Sequence, residues 1–285
     1  MILVTGASGN TGRALVERLA SSGTLVRALV RQAAKGAGLA AMPNVEVVVA
    51  DFTIPSSLTA ALEGITKAYL LTAAHPTQVE LHSTFVRAAR RAGVKQIVRH
   101  SVRGAHEASP VKICRWHAAS ERELEASGIA WTHVQPVYNM QNLLRLAGSF
   151  RQTGVLAAPM NDAAIAMVDA HDVADVAAVA LTCDGHHGKT YVVTGPEPLG
   201  FADVAAQLSS ASGRPVRYVD APPSQTRSAL LNLGMPQWYV DDLLGFYAFY
   251  GSGAGSAVSD AARRLTGHPG RRLRDFIARC TSQLS

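Results

Sequence analysis

A glycine-rich loop, TGASGNTG at residues 5–12, lies between a short strand pattern and a helical pattern. Residues 2–5 are apolar or β-branched, and the segment after the loop places Leu15, Leu19 and Ala20 on one helix face. Strand, glycine loop and helix in this order form the context that a dinucleotide phosphate site requires. This arrangement constrains the fold more than any other feature, because it predicts the start of a βαβ unit.

The three glycines of the loop each remove an obstacle to phosphate binding. Gly6 allows a sharp turn, Gly9 lets the backbone approach a pyrophosphate, and Gly12 lets the helix lie close to the strand. The first N–H groups of the helix and its dipole then favour an anion. The alternative, a glycine-rich turn without a ligand, is disfavoured by the flanking patterns. The predicted phosphate-binding residues are Gly6, Ser8, Gly9, Asn10, Thr11 and Gly12.

Strand and helix patterns alternate through the first half of the chain. Apolar runs predict strands at 2–5, 24–30, 45–50, 68–72, 96–100 and 130–135. Amphipathic runs between them predict helices at 11–22, 55–63, 77–92 and 116–127. We therefore expect an α/β fold with a Rossmann-type doubly wound parallel sheet, whose ligands bind at the carboxyl ends of the strands.

The end of the second predicted strand distinguishes NAD from NADP. In this fold an acid about 20 residues beyond the glycines binds the ribose 2′-hydroxyl of NAD, whereas a basic residue accepts the 2′-phosphate of NADP. The strand ends at Val30 and is followed by Arg31, with no acid at this point. A guanidinium suits phosphate, and Lys35 adds a second positive charge. The sequence therefore predicts NADP(H) as the cofactor.

Further cofactor contacts are predicted after the third and fourth strands. Asp51 and Phe52 are expected along the adenine, and the alternative in which Asp51 caps the helix after Pro55 stays open. Thr72 and Ala73 are expected to border the middle of the cofactor. These assignments rest on position, since the carboxyl ends of parallel strands share one edge of the sheet.

The alternation of patterns changes after about residue 136. We expect residues 1–150 to form an NADP-binding Rossmann domain that takes later strands from residues 151–200. Residues 151–285 are expected to form a smaller C-terminal α/β substrate lobe. Length alone allows one large domain with such an appendage.

Three local features of the predicted lobe are expected. A short strand runs into a helix capped by Asp172, and the GSGAGS segment at 251–256 is a flexible connection before one final helix. The aromatic-rich stretch at 238–250 mostly forms core, although it could also stack a planar substrate.

Composition and charge exclude several classes of protein. The chain of 285 residues is 48% hydrophobic and 17% charged, and no apolar run reaches the roughly 18 residues of a membrane span. No basic leader precedes the first strand, and Cys114, Cys183 and Cys280 lack metal or disulfide spacing, so we expect a cytoplasmic protein. The basic residues behind the net charge of +6 lie in helix patterns without interleaved aromatics, and this argues against nucleic-acid binding. Neither His171 with Asp172 nor the pair at 186–187 has metal-ligand spacing.

The chain resembles the NmrA-like group of atypical short-chain dehydrogenases/reductases. The segments that carry the resemblance are the glycine loop, GVKQIVRHSVRGA, WHAASERELEASGIAWTHVQPVYNMQN, MVDAHDVADVAAVAL and the region that begins YVVTGPEPLG. The group includes NAD(P)H-dependent quinone reductases and redox-sensing regulators. This chain differs where Val102 follows Ser101, in place of a second serine, and where Gln135 replaces the usual arginine before Pro136.

The residues of ordinary short-chain dehydrogenase chemistry are missing. That chemistry uses a Tyr-x-x-x-Lys pair with an upstream serine, and His117 and Glu121 stand in the positions of the pair. We predict His117 as a proton or hydrogen-bond donor oriented by Ser101 or a water, and a nearby Glu is expected to raise its pKa. The alternative is a structural histidine paired with Glu121. The predicted catalytic residues are His117, Ser101 and Tyr138, with Pro136 beside the nicotinamide.

A quinone acceptor suits a site without a strong acid, because the hydroquinone anion is well delocalised. We therefore expect an NADPH-dependent reductase of quinones or related planar aromatic carbonyl compounds, without metal. In aromatic polyketide tailoring, the dihydroquinone would then react with oxygen and a second protein partner would be involved. The alternative is a non-catalytic NADP(H)-sensing regulatory protein. A homodimer stays open, and neither a membrane nor a nucleic acid is an expected partner.

Overall fold

Residues 1–284 are described by the computed structural model, apart from the side chain of Ser149. Over these residues the chain forms nine strands. They are β1 (Ile2–Val4), β2 (Val26–Val30), β3 (Val45–Val49), β4 (Lys67–Leu70), β5 (Gln96–His100), β6 (Ala130–Pro136), β7 (Val155–Ala158), β8 (Lys189–Val193) and β9 (Arg217–Asp220).

The helices alternate with these strands. They are α1 (Asn10–Ser21), α2 (Ala37–Ala40), α3 (Pro55–Leu62), α4 (Gln78–Arg91), α5 (Lys112–Ala126), α6 (Leu143–Thr153), α7 (Ala170–Thr182), α8 (Phe201–Ser212), α9 (Pro223–Asn232), α10 (Gln237–Phe249), α11 (Ala261–Thr266), α12 (Leu273–Arg279) and α13 (Thr281–Leu284). Two 3₁₀ turns lie at Ala33–Gly36 and Met140–Asn142, and a π-helical turn lies at Tyr250–Ala254.

Seven strands form one parallel sheet in the order β3-β2-β1-β4-β5-β6-β8. This is the predicted Rossmann-type doubly wound sheet. Val4 of β1 lies beside Ala28 of β2 and Tyr69 of β4, so the strand order reverses around β1. Ligands of such sheets bind at this switch point, which places the glycine loop next to the residues after β4.

Alternate residues of the central strands face opposite layers of helices. Ile2 and Val4 pack with Leu15 of α1 and Val173 of α7. Leu3 packs on the other side in a cluster formed mainly by α3, α4 and α5. Both faces are buried, which explains why the strands are almost continuously apolar.

The part of the chain after residue 150 contributes to two sheets. β8 joins the main sheet beside β6, whereas β7 and β9 form a separate parallel pair. One hydrophobic cluster extends from Ile2 through Phe201 to Phe276, so the later segments share the core of the sheet.

Three local expectations are corrected by the structure. The N-cap of α7 is Asp169, whose carboxylate accepts from the His171 N–H at 2.9 Å, and not Asp172. Asp172 lies inside the first turn, where it pairs with Arg271. The segment at 251–256 begins within a π-helical turn, and three short helices follow it where one was expected.

Helix α5 also begins earlier than predicted, at Lys112. The Lys112 N–H donates to Oδ1 of Asp242 at 2.8 Å, so a long-range contact from α10 holds the helix start. Sequence periodicity cannot reveal such a contact. Over residues 1–284, no helix is long and apolar enough to span a membrane.

Candidate cofactor and substrate site

The glycine loop forms a cradle between β1 and α1. Gly6 adopts a φ of +62°, which favours glycine, and its carbonyl oxygen accepts from the Gly9 N–H at 2.9 Å. Gly9 is the N-cap of α1, and the N–H of Arg13 donates to its oxygen at 2.9 Å. The N–H groups of residues 10–12 precede that bond and point out of the helix end, where an anion binds favourably. Ser8, Gly9 and Asn10 form the exposed rim of the cradle, whereas Thr11 and Gly12 are buried.

The close packing of this cradle depends on missing side chains. A Cβ atom at residue 12 would lie 2.1 Å from the carbonyl oxygen of Gly6, and a Cβ at residue 9 would lie 3.3 Å from it. The Thr5 hydroxyl donates to the Leu71 oxygen and accepts from the Leu71 N–H, both at 2.8 Å. The loop is thereby tied to the end of β4, and the cradle fits the pyrophosphate of a dinucleotide.

Exposed basic side chains lie on and around the segment that follows β2. Arg31 directly follows the strand and lies close enough to Asp51 for their charges to interact, and Lys35 follows on a 3₁₀ turn. Arg13 faces the same segment, since its Nη1 lies 3.5 Å from the Cβ position of Gly38. The sequence did not predict Arg13 as part of this site. Arg13 directly follows the loop glycines, and nothing in the sequence pattern indicates that its side chain reaches the segment after β2.

The residues after β3 are held within their own loop. The Asp51 carboxylate accepts from the N–H and hydroxyl of Thr53 at 2.8 and 2.7 Å, and these bonds lower the pKa of Asp51. The N-cap of α3 is Ile54, so Asp51 is not the helix cap of the alternative interpretation. The Phe52 ring stacks on Phe85 with centroids 5.1 Å apart and belongs to the core.

A polar chain begins at the carboxyl end of β4. Ala73 is exposed, and Oγ1 of Thr72 lies 2.9 Å from Nε2 of His82 on α4. Nδ1 of His82 in turn accepts from Nε of Arg99 at 3.2 Å. Thr72 is therefore linked to a charged group in the interior.

Arg99 on β5 is fully buried and contacts the predicted catalytic histidine. Its Nη2 lies 3.0 Å from Nδ1 of His117, and its Nη1 lies 3.8 Å from Oε1 of Glu121. The same Glu121 oxygen accepts from Nε2 of Gln135 at 2.9 Å. We refer to Arg99, His82 and His117 as the arginine–histidine cluster.

This geometry corrects three expectations about His117. Glu121 does not pair with His117 but with Gln135 and Arg99. The pKa of His117 is lowered and not raised, because burial and the nearby charge of Arg99 both disfavour the imidazolium. The hydrogen bond that orients His117 comes from Arg99 and not from Ser101. Sequence reasoning missed Arg99, because an arginine within a strand is usually taken as edge or surface.

The other predicted residues lie after β5 and β6. Ser101 is buried, and no described residue bonds to its hydroxyl. The Pro136 oxygen accepts from the Arg103 N–H at 2.9 Å, which joins the two strand ends. The Tyr138 ring packs edge-on against Phe201 and Tyr250, and burial raises its pKa well above the usual range. Tyr138 is therefore a neutral phenol.

An aromatic wall stands over the loops after β4 and β5. It contains Trp116 of α5 and, from α10, Trp238, Tyr239, Phe246 and Phe249. It packs with Ala74 and Val102, and the Trp116 and Trp238 centroids are 5.9 Å apart. These side chains are partly exposed, whereas Tyr247 and Tyr250 of the same stretch are buried in the core.

The structure thus places two groups of predicted residues at one edge of the sheet. The glycine cradle, Arg31 and Thr72 follow β1, β2 and β4, whereas His117 stands on α5 and is joined to β5 through Arg99. Within residues 1–284, no group of three or more His, Cys, Asp or Glu side chains is arranged to hold a metal ion.

Strand order and cradle together define the Rossmann class of α/β proteins. More narrowly, the chain belongs to the NmrA-like family, whose model matches residues 1–266. It is 40% identical over 276 residues to the NAD(P)H azoreductase of Xenophilus azovorans, which covers 97% of this chain and 96% of that protein.

Two solved structures of reductases superpose on nearly the whole chain. The NADPH complex of the NADPH-dependent quinone oxidoreductase QOR2 from Escherichia coli has a TM-score of 0.89 at 30% identity, covering 99% of this chain and 100% of that one. The triphenylmethane reductase of Citrobacter sp. in complex with NADP(H) has a TM-score of 0.86 at 27% identity, covering 98% and 99%.

Proposed function

We propose that the acceptor of this enzyme is a quinone or a related planar aromatic carbonyl compound. The chain is an NAD(P)H-dependent oxidoreductase, and NADP(H) is its cofactor. Relatives with these cofactors cover almost its full length. The observation that carries the proposal is the aromatic wall beside a histidine that is kept neutral.

The residues of the cradle would hold the pyrophosphate, and basic residues would hold the adenosine phosphate. Arg31, Lys35 and Arg13 together supply positive charge around the segment after β2. A guanidinium recognises a phosphate through two parallel hydrogen bonds, which a ribose hydroxyl cannot match. This arrangement favours NADPH over NADH.

The sequence has no Tyr-x-x-x-Lys pair, the group that would protonate an alcoholate. When bound, the cofactor supplies the hydride. The protein orients the acceptor, excludes water and offers hydrogen-bond donors, and a delocalised hydroquinone anion needs no more than this. His117 and Tyr138 are the candidate donors, both neutral.

The aromatic wall provides a flat, apolar surface for a planar ring. Trp116 and Trp238 are partly exposed, as a stacking surface requires. We assign the lobe of residues 151–285, which contributes α10 to this wall, to substrate binding.

A panel of acceptors tests the proposal. Purified protein with NADPH and benzo-, naphtho- or anthraquinones should oxidise NADPH in steady state, and an azo dye serves as an acceptor of another class. Turnover of the azo dye alone would reject the quinone. Binding of NADP without turnover of any acceptor would overturn the reductase and leave the NADP(H)-sensing regulator.

The variant Trp238→Ala tests the aromatic wall. Loss of a stacking ring should raise the KM for a naphthoquinone by about 3- to 10-fold, as expected for an aromatic contact of ~0.5–1.5 kcal/mol. The Kd for NADPH should not change. Leu233→Ala is the matched control, because Leu233 is 76% exposed and lies just before α10. An unchanged KM in Trp238→Ala would remove the wall from substrate binding.

The specialised form of the proposal is aromatic polyketide tailoring. A dihydroquinone and O₂ give a hydroxylated quinone and water, a step for which a second protein would be the partner. Mass spectrometry of the products under air and under argon tests this form. A product that gains one oxygen only under air supports it, and a plain dihydroquinone under both gases rejects it.

A further inference from the structure

The guanidinium of Arg99 lies in the interior at the carboxyl half of β5. Its side chain is fully buried, although arginine is rarely placed there without a dedicated set of partners. Those partners are His82, His117 and Glu121, which come from α4 and α5. The charge therefore lies between the two helices that flank the substrate end.

Donor and acceptor rules fix the protons of both histidines. Arginine has only N–H donors, so Nδ1 of His82 and Nδ1 of His117 must both accept. In a neutral imidazole the other nitrogen then carries the proton, and both rings are the Nε2–H tautomer.

The two Nε2–H groups point to different places. That of His82 donates to Oγ1 of Thr72 at 2.9 Å, which leaves the Thr72 hydroxyl proton free to donate at the end of β4. None of the described residues forms a hydrogen bond with Nε2 of His117, and His117 as a residue is partly exposed. The buried guanidinium of Arg99 thus orients two hydrogen-bond donors, the Thr72 hydroxyl after β4 and the His117 ring on α5.

The groups around His117 also decide its charge. Burial lowers the pKa of His117, and the charges of Arg99 and His100 on β5 and of His82 on α4 lower it further. Glu121 balances the charge of Arg99 but bonds to Gln135 and not to the imidazole. Accepting a bond from a cation makes the opposite N–H of the ring a stronger donor.

We propose that Arg99 is a positioning residue that holds His117 as a neutral Nε2–H donor to the acceptor oxygen. This inference rests on the proposed quinone reductase function. Hydride transfer adds two electrons and one proton to the quinone, and negative charge develops on its oxygen. The His117 Nε2–H stabilises that oxyanion without giving up its proton. The hydroquinone anion takes up the second proton as H⁺ from the solvent, so that quinone, NADPH and H⁺ give hydroquinone and NADP⁺.

The first test is a direct reading of the tautomers in the cofactor-free protein. In protein labelled with ¹⁵N-histidine, long-range ¹H–¹⁵N spectra should show His82 and His117 as Nε2–H tautomers at every pH between 8 and 5.5. A His117 that carries its proton at Nδ1, or that titrates near pH 6.5, overturns the proposal. This measurement needs neither a substrate nor a variant.

The second test is Arg99→Met with Arg99→Lys for rescue. Arg99→Met should give His117 mixed tautomers and a higher pKa, and kcat should fall at least 10-fold while the Kd for NADPH changes less than 3-fold. Arg99→Lys keeps a charge and a donor, and should recover part of kcat and the wild-type tautomer. Wild-type kcat in Arg99→Met, or a uniform loss in both variants, would contradict the proposal.

A matched control separates positioning from loss of stability. Arg27 on β2 is also mostly buried, and its Nη1 donates to the oxygens of Ala61 and Glu63 at 3.0 and 2.7 Å. Arg27→Met should lower the melting temperature but leave the tautomers and kcat unchanged. If the wild-type protein turns over no quinone while His117 stays Nε2–H, the proposed function fails and the arrangement of the cluster stands. If the protein turns over quinones while His117 is the Nδ1–H tautomer, the proposed function stands and the proposed role of Arg99 fails.

Discussion

We predict that a single side chain, Arg31, carries the choice between the two nicotinamide dinucleotides. It is exposed at the end of β2, close enough to Asp51 for the two charges to interact. A charge-assisted bond to phosphate contributes about 1.5–3 kcal/mol. Arg31→Ala should therefore raise the Kd for NADPH by about 10- to 100-fold and change the Kd for NADH little.

Titration of both cofactors by fluorescence or calorimetry measures this difference. Arg90→Ala is the matched control, because Arg90 is an exposed arginine on α4, away from the predicted site. Equal losses of affinity for NADPH and NADH in Arg31→Ala would withdraw the assignment of Arg31 to the 2′-phosphate.

Sequence and structure agree at the residue scale where a backbone rule applies, and differ where side chains meet over long distances. Gly6 has the left-handed φ that a sharp turn needs, and Gly12 leaves room for Gly6. The partners of His117 could not be inferred in this way. Arg99 is 18 residues away on another element, and burial together with the charge of Arg99 reversed the expected direction of the pKa shift of His117.

At the scale of elements, the packing of α1 on β1 is set by one missing side chain. In Gly12→Ala the new Cβ would meet the Gly6 oxygen at 2.1 Å, so the helix must move away from the strand. Overpacking of this kind costs about 1–3 kcal/mol of unfolding free energy. Because the cradle moves with the helix, the Kd for NADPH should rise at least 10-fold.

Urea unfolding and NADPH titration of one preparation check both effects. Gly148→Ala on α6 is the matched control, because its Cβ would meet no atom within 4 Å. That variant should gain about 0.5–1 kcal/mol from helix propensity and bind NADPH normally. Wild-type affinity in Gly12→Ala would show that the cradle does not depend on this contact.

Periodicity predicted the elements themselves well, since all six strands of the first half appear in their predicted places. The predicted ends of the elements were less accurate wherever a tertiary contact determines where an element begins or ends. The N-cap of α7 is Asp169, whose carboxylate accepts from His171 and Gln141 and pairs with Arg279 of α12. From the sequence we predicted Asp172 as the cap, whereas the structure places Asp169 there.

At the scale of the whole molecule, ion pairs join the end of the chain to the sheet. Arg271 pairs with Asp172 and Asp175, and Arg279 pairs with Asp169, all three on or beside α7. Although burial opposes it, hydrogen bonds from His171 and Gln141 and the charge of Arg279 hold the pKa of Asp169 well below its usual value. These contacts fix the C-terminal helices against the layer that also contains α1.

The interior also contains histidines that the fold keeps neutral. Burial and the charge of Arg99 lower the pKa of His100 and of His133 to about 3, and those of His82 and His117 fall in the same direction. Unfolding returns each ring to a pKa of about 6.5, so the unfolded chain binds more protons below that pH. Stability should thus be constant from pH 8 to 7 and fall below about pH 6.5. Each such histidine contributes up to about 1.4 kcal/mol per pH unit.

Urea unfolding between pH 8 and pH 5.5 measures this slope, in a range where unfolded carboxyl groups stay ionised. His133→Phe removes one of these histidines and keeps a ring to stack on Trp131, whose centroid lies 4.5 Å from that of His133. The slope should decrease by about one proton, with stability at pH 8 close to wild type. His187→Phe, at an exposed position, should keep the wild-type slope. A wild-type protein whose stability is constant down to pH 5.5 would show that these rings are not held neutral, and would also remove the electrostatic basis for the role of Arg99.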